Sequence, residues 1–321
     1  MFRPASGTAR LEIASRRGAR ALLRPFGIKF LDDSLIGIAP GDLVLIGAAS
    51  GIGKTQLCCN IALANLADGK RVHFLALEAE EFEIERRLKY QIVASSFFAD
   101  PNRPRLERYL SYDLWRLGDF LDPLEKYETM ATEFMERAYG NLNVFYKTSS
   151  FTITDLIESV CHASPESDLF IIDHAHYFDF DDDNENRAMK DLARTVRDLA
   201  IERQKPIILV AHLRKRDRAN EDLVPGIDEF HGSSDLTKIA TRVVTISPGG
   251  RTTDGRYETF FRVPKNRLNG GTNRYVGRAL FDPKVNAYEE AYKIGDATLT
   301  RKTGFEELDH SLYPEWARQK A

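Results

Sequence analysis

Lys54 and Thr55 close the nonapeptide Gly47 to Thr55 (GAASGIGKT), which lies between the apolar run Leu43-Val44-Leu45-Ile46 and a helix-like run from Gln56 to Ala67. A strand, a loop of small residues and a helix in that order form a phosphate cradle. Without bulky side chains, backbone N–H groups can close around phosphate oxygens at a helix N-terminus. Lys54 can reach the β- and γ-phosphates, and the Thr55 hydroxyl can bind Mg²⁺. The contact set is therefore Ala49, Ser50, Gly51, Ile52, Gly53, Lys54, Thr55 and Gln56, and the expected activity is nucleoside triphosphate hydrolysis. Ala48 stands where the strict motif has glycine, which is tolerable if the backbone keeps a negative φ there.

Three further residues end apolar strands, where a parallel sheet places its chemistry. Asp173 ends Leu169–Ile172 and is expected to order a Mg²⁺ shell from a strand beside the P-loop strand. Many P-loop ATPases follow that aspartate with a glutamate, but here His174 follows, so a water-activating carboxylate must come from elsewhere. Glu78 is the first carboxylate after Val72–Leu77, a strand expected to neighbour the P-loop strand; Glu80, Glu81 and Glu83 compete with it. His212 follows Pro206–Ala211, placed to sense the γ-phosphate or to be a satisfied strand-end histidine.

The elements that position these residues read as an α/β chain. Continuous apolar strands at 72–77, 143–146, 169–172 and 206–211 alternate with helices at 81–97, 187–204 and from Thr154 to Cys161. Late strands follow at 243–246 and 257–263. That pattern predicts a mostly parallel sheet with helices on both faces. Residues 1–25 read as a basic arm and 26–290 as the ATPase domain. Residues 98–140 read as a helical insertion on the sheet edge, and 291–321 as a tail. The 321 residues are 43% hydrophobic with net charge −3. No apolar run approaches the roughly 20 residues that span a bilayer. Cys58, Cys59 and Cys161 form no metal pattern, so a reducing, cytoplasmic setting is expected.

The segments LALE ending at Glu78, LFIID ending at Asp173, ILVAHLRKR (208–216), FHGSSDL (230–236) and VPKNRLNGGT (263–272) occur in this order. Together they resemble the RecA-like motor domain of DnaB-type ring helicases, in the branch of Twinkle and the phage helicase–primases. The resemblance covers about residues 26–290. It implies a P-loop NTPase fold, ATP and Mg²⁺ as cofactors, and a homo-oligomeric, hexameric ring with nucleotide between subunits. It implies that His212 senses the γ-phosphate. It further implies that Lys265 and Arg267 are basic fingers supplied to a neighbour's site and that Phe281 packs on the base.

Two departures accompany the resemblance. Only a short arm precedes the motor where the family carries a helical or primase module. The loop after Asp173 carries the acidic run Asp179 to Asn186, which would repel phosphates and could bind a basic protein partner. Single-stranded DNA is the expected partner at a second loop, through His231, Gly232, Ser233 and Ser234. Arg214, Lys215, Arg216 and Arg218 form a basic cluster nearby. Two outputs stay open: a motor that translocates on or unwinds DNA, and an ATPase switch that recruits proteins without unwinding.

Overall fold

The computed structural model describes residues 8, 12–13, 15–180, 184–213, 224–230, 234–269, 275–296, 306–307, 309 and 311. Its strands are β1 (Leu43–Ala48), β2 (Val72–Ala76), β3 (Leu142–Tyr146), β4 (Leu169–Asp173), β5 (Ile207–His212), β6 (Arg242–Arg251), β7 (Tyr257–Asn266), β8 (Tyr275–Asp282), β9 (Ala287–Asp296) and β10 (Glu306–Glu307). The helices are α1 (Lys29–Leu35), α2 (Lys54–Ala67), α3 (Glu83–Ala99), α4 (Tyr112–Arg116), α5 (Leu121–Ala138), α6 (Ile153–Ala163), α7 (Glu185–Arg203) and α8 (Ser234–Ile239).

All ten strands join one sheet in the order β10-β9-β8-β7-β6-β1-β5-β4-β2-β3. From β3 to β6 the pairing is parallel. From β6 to β10 it is antiparallel. The parallel half follows from composition: β1 and β4 are buried along their whole length, as strands covered on both faces must be. Leu57, Cys58 and Ile61 of α2 pack one face with Phe30 and Leu31 of α1. Leu156 and Val160 of α6 pack the other with Leu192 and Val196 of α7.

The strand neighbours differ from the sequence expectation. Neither β2 nor β4 adjoins the P-loop strand β1; β5 and β6 flank it instead. Asp173 thus lies two strands from β1, and the Glu78 strand lies three away. Sequence adjacency cannot reveal this, because β5 and β6, far from β1 in the chain, take the places on either side of it in the sheet. The antiparallel strands β8 and β9 also lie beyond the sequence reading, and β9 runs through position 290, where that reading ends the domain.

Local chemistry explains several boundaries. Helix α6 opens at Thr152, not Thr154: the Thr152 hydroxyl accepts from the Asp155 N–H, and the Asp155 carboxylate accepts from the Thr152 N–H at 2.7 Å. The insertion packs chiefly on α3 rather than on the sheet edge. Leu124, Tyr127 and Ala131 meet Tyr90, Val93 and Phe97, while Met135 reaches the main core. Arg24, the last arginine of the arm, is structural: its Nη2 lies 2.6 Å from Asp168 Oδ1 in a largely buried pair. Cys58 and Cys59 are buried thiols, and burial pushes Cys59 up to about 12. Among the described residues, no helix is long and apolar enough to cross a membrane.

Candidate functional site

The cradle begins where β1 ends. Ala48 is the last residue of that strand and keeps out of the positive-φ region. Gly51 and Gly53 have φ of 79° and 90°, a conformation that costs a side-chain-bearing residue dearly, and Gly53 is the N-cap of α2. Gly47 is needed for a different reason: a Cβ there would meet the Phe230 ring at 2.4 Å. The loop thus hands α2 its N-terminal N–H groups, with Lys54 and Thr55 as the first two helical residues.

Thr55 Oγ1 donates to Asp173 Oδ2 at 2.6 Å. Asp173 is buried, which raises its pKa above the ordinary carboxylate value, and its Oδ1 has no hydrogen-bond partner among the described residues. A buried carboxylate with a free oxygen beside a threonine hydroxyl suits a cation shell. Lys54 Nζ donates to the Ala49 carbonyl at 3.1 Å and to His212 Nδ1 at 3.0 Å. Burial lowers the Lys54 pKa. Desolvation first, then the nearby His174 and Lys54, carry His212 to about 4, so its ring is neutral at pH 7. A neutral ring that accepts at Nδ1 keeps its proton on Nε2.

Glu78 lies just past β2, and its Oε2 is 2.8 Å from His174 Nε2. That histidine, first in holding the carboxyl below its ordinary value, outweighs the desolvation that opposes it. The competing carboxylates have other attachments. Glu83 Oε1 accepts from Arg87 Nε at 2.9 Å, Glu80 lies 3.9 Å from Arg86, and Glu81 is exposed. Glu78, His174 and His212 each offer an atom within 4.8 Å of the others, a spacing that also suits a metal. The tautomer argues against a metal ligand at His174. The His176 backbone N–H donates to His174 Nδ1 at 3.2 Å, so the His174 proton sits on Nε2, the nitrogen facing Glu78.

Two cavities meet at the loop. One, of about 450 Å³, runs from Ser50, Lys54 and Thr55 to Glu78 and Arg87. The other, of about 290 Å³, is lined by Ile52, Gly53, Tyr257, Phe281 and Tyr288. Gly51, Gly53 and Gln56 line both. A polar cleft that opens into an aromatic one matches the phosphate and base ends of a nucleotide.

Residues 32–218, more than half of the chain, match the AAA domain family. The chain belongs to that family. A probable plasmid replicative DNA helicase of Chlamydia trachomatis is 26% identical over 278 residues, covering 84% of this chain and 55% of the relative. Replicative DNA helicase DnaB of Nostoc sp. is 25% identical over 232 residues, covering 70% of this chain and 24% of the relative. The chain spans about half the length, or less, of these curated relatives. Among solved structures, the ATPase domain of G40P superposes with a TM-score of 0.71 at 17% identity, covering 89% of this chain and 97% of that one. A DnaB-like replicative helicase, solved with attention to its interactions with primase, also gives 0.71, at 15% identity, covering 90% of this chain and 67% of that one. The fold is thus the RecA-like one of DnaB-type motor domains.

Within this AAA-family site the structure brings together Lys54, Thr55, Asp173, Glu78 and His212. Phe281 lines the aromatic cavity with its ring 5.3 Å from that of Tyr288. Gln56 lines both cavities, but its amide Nε2 donates to the Asn286 carbonyl at 2.7 Å and so ties α2 to the β8–β9 turn. Lys265 does not reach out: its Nζ donates to the carbonyls of Thr237 and Lys238 at 2.7 and 2.8 Å in its own α8. Arg267, just past β7, is exposed. In the acidic run, Asp179 accepts from Lys147 and from the Phe151 N–H, each at 2.7 Å, and Asn184 caps α7. Asp181 to Asp183, Arg214, Lys215, Arg216, Arg218, His231, Gly232 and Ser233 lie outside the described residues, as does the Ser234 side chain.

Three contributors escaped the sequence reading. Phe230 reads in the sequence only as part of the FHGSSDL segment, yet its ring packs on Gly47, and the Leu213–Phe230 bridge ties the start of the segment after His212 to its end. Tyr288 had no signal, because β9 was unseen. His174 was visible only as a missing glutamate.

Proposed function

We propose that the chain hydrolyses ATP in the manner of a DnaB-type motor and couples the cycle to movement on single-stranded DNA or to duplex unwinding. One observation carries the reading. Thr55 and Asp173 are paired at 2.6 Å while Lys54, in the same cleft, contacts the neutral ring of His212 at the end of β5.

Thr55 and Asp173 would hold Mg²⁺, which when bound supplies positive charge to the β- and γ-phosphate oxygens. Backbone N–H groups from Ala49 to Gly53 and the Lys54 ammonium bind the phosphates, and Phe281 and Tyr288 hold the base. Glu78 orients the attacking water. His212 shares the Lys54 ammonium, so a change at the γ-phosphate changes what His212 holds. The chain leaving His212 is bridged at Leu213 to Phe230, which leads into the glycine-serine segment proposed to grip DNA phosphates. A ring of subunits, with Arg267 supplied in trans, completes each site. Residues from 26 to the end of β9 act as the motor domain, with 98–140 inserted.

The deciding experiment measures the ATP hydrolysis rate against added single-stranded DNA at two salt concentrations. Stimulation that weakens at higher salt is expected of a DNA-coupled motor, because phosphate contacts release counterions. A response that stays flat at both concentrations would replace the motor with a switch. Retained hydrolysis in Lys54→Ala would remove the site assignment.

A further inference from the structure

We propose that His174, with Tyr177 from the same turn, is a positioning residue that holds the Glu78 carboxylate in its water-orienting place. This rests on the reading of Glu78 given above and explains how a chain without a glutamate after Asp173 aims its carboxylate.

The observations are geometric. His174 is completely buried, follows the last residue of β4, and caps the short turn Ala175–Tyr177. Its ring is wedged among three others: His212 at 4.1 Å, Tyr177 at 4.9 Å and His176 at 5.5 Å between centroids. Nothing in that packing lets the ring turn freely. The His176 N–H occupies Nδ1, which leaves Nε2–H as the donor, 2.8 Å from Glu78 Oε2. The two atoms are close without the alignment of a standard hydrogen bond. The ring is fixed and the Glu78 side chain is 42% exposed, so a small rotation of Glu78 completes the bond. Loose alignment of this kind, tightening in the substrate complex, is common at catalytic hydrogen bonds. The Tyr177 ring stands edge-on to His174, and burial first, then the nearby Glu78 carboxylate, raise the pKa of its phenol, which places Tyr177 beside the same carboxylate.

The strand order shows why such a device is needed. Glu78 leaves β2, which is two strands from β5 and three from β1, so its own strand does not aim it at the P-loop. The backbone helps only partly: the Leu77 N–H donates to the Asp173 carbonyl at 2.7 Å, pinning the chain end but not the side chain. His174 adds the side-chain restraint from the adjacent strand. The residue that replaces the expected carboxylate therefore supports a carboxylate supplied from β2.

Two substitutions separate positioning from structural support. His174→Gln keeps an N–H donor near the Nε2 position. His174→Asn keeps an acceptor near Nδ1 for the His176 N–H but loses the donor that faces Glu78. ATP turnover, KM for ATP and the affinity for a fluorescent ADP analogue are measured on the full chain, alone and in a Glu78→Gln background. His174→Asn is expected to lower kcat by about 10- to 100-fold, the scale of a misplaced catalytic group, with KM and ADP affinity within about twofold. His174→Gln is expected to recover most of that loss. In the Glu78→Gln background neither change should lower kcat further. Unchanged kcat in His174→Asn, or equal losses in both variants, overturns the proposal. If Glu78→Gln itself leaves turnover intact, the reading of Glu78 fails instead, and the two failures are distinguishable. Should both His174 variants lose ADP binding through misfolding, Tyr177→Phe decides. A kcat loss that disappears in the Glu78→Gln background supports the clamp, and no loss overturns it.

Discussion

His212 is held neutral because the cleft withdraws it from water beside a lysine ammonium, and this has a measurable consequence for stability. An unfolded histidine takes up its proton near pH 6.5. In the fold His212 waits until about 4. Between these values the unfolded chain binds more protons than the native one, so this residue's contribution to stability falls as pH falls from 6.5 to 4. The ring is partly open to solvent, which screens the effect to about 1 kcal/mol. Urea unfolding of the parent and of His212→Gln at pH 7, 5.5 and 4 should show the parent losing more stability on acidification by about that amount. A pH-independent difference would show that the ring titrates normally. The same scale shows what a sequence can disclose. Lys54 and Thr55 were legible because the role proposed for them needs one residue type at one place in a strand-loop-helix, and Asp173 because it ends a continuous apolar strand. The role of His174 was not, because it depends on which ring nitrogen a backbone N–H occupies.

At the scale of elements, the junction that orients the P-loop strand is fastened by charge. Arg242 opens β6 and is 1% exposed. Its Nη2 lies 3.0 Å from Asp42 Oδ2, and its Nη1 donates to the Leu35 carbonyl at 2.9 Å and to that of Gly37. Asp42 in turn accepts from the Ala39 N–H at 2.8 Å and from the Thr241 hydroxyl at 2.9 Å. One ion pair thereby sets the start of β1 against the start of β6 and the end of α1. Arg242→Met should destabilise the fold by about 3–5 kcal/mol, since it strands a buried carboxylate. Arg242→Met combined with Asp42→Asn should cost less than the sum of the two single changes. Urea melts of the four proteins test this. Gly47→Ala should also destabilise, by about 1–3 kcal/mol, because the new methyl overlaps the Phe230 ring, and the loss should be relieved in a Phe230→Leu background. The parallel strands were readable from their continuous apolar runs. Their spatial order was not, because β5 and β6 take the places beside β1 through contacts that sequence proximity does not encode. The alternation of β8 and β9, partly charged and partly apolar, hid the two strands that continue the antiparallel half beyond β6 and β7.

At the scale of the whole molecule, the sheet divides the labour. Its parallel half ends in the cleft proposed for the phosphates, and its antiparallel half brings Tyr257, Phe281 and Tyr288 to the cavity proposed for the base. The two candidate finger residues then separate. Lys265 is tied to the end of its own α8, while Arg267 is exposed and is the residue proposed above to meet charge developing on a neighbour's nucleotide. A cation supplied in trans is worth about 10³–10⁵ in turnover, so Arg267→Ala should lose most of its kcat with nucleotide affinity retained, and Lys265→Ala should lose chiefly thermal stability. A shared site makes a stronger demand than either variant alone. Lys54→Ala subunits carry a dead cleft but an intact Arg267, and Arg267→Ala subunits carry the reverse. When the two inactive proteins are mixed, some interfaces combine the intact cleft of one with the intact arginine of the other. At a one-to-one ratio in a randomly mixed ring, about a quarter of interfaces pair those intact parts if subunits exchange freely. Turnover of the mixture should therefore rise above the sum of its components and peak near equal proportions. A strictly additive mixture, under conditions where fluorescently labelled subunits are seen to exchange, would place the whole hydrolytic site within one chain.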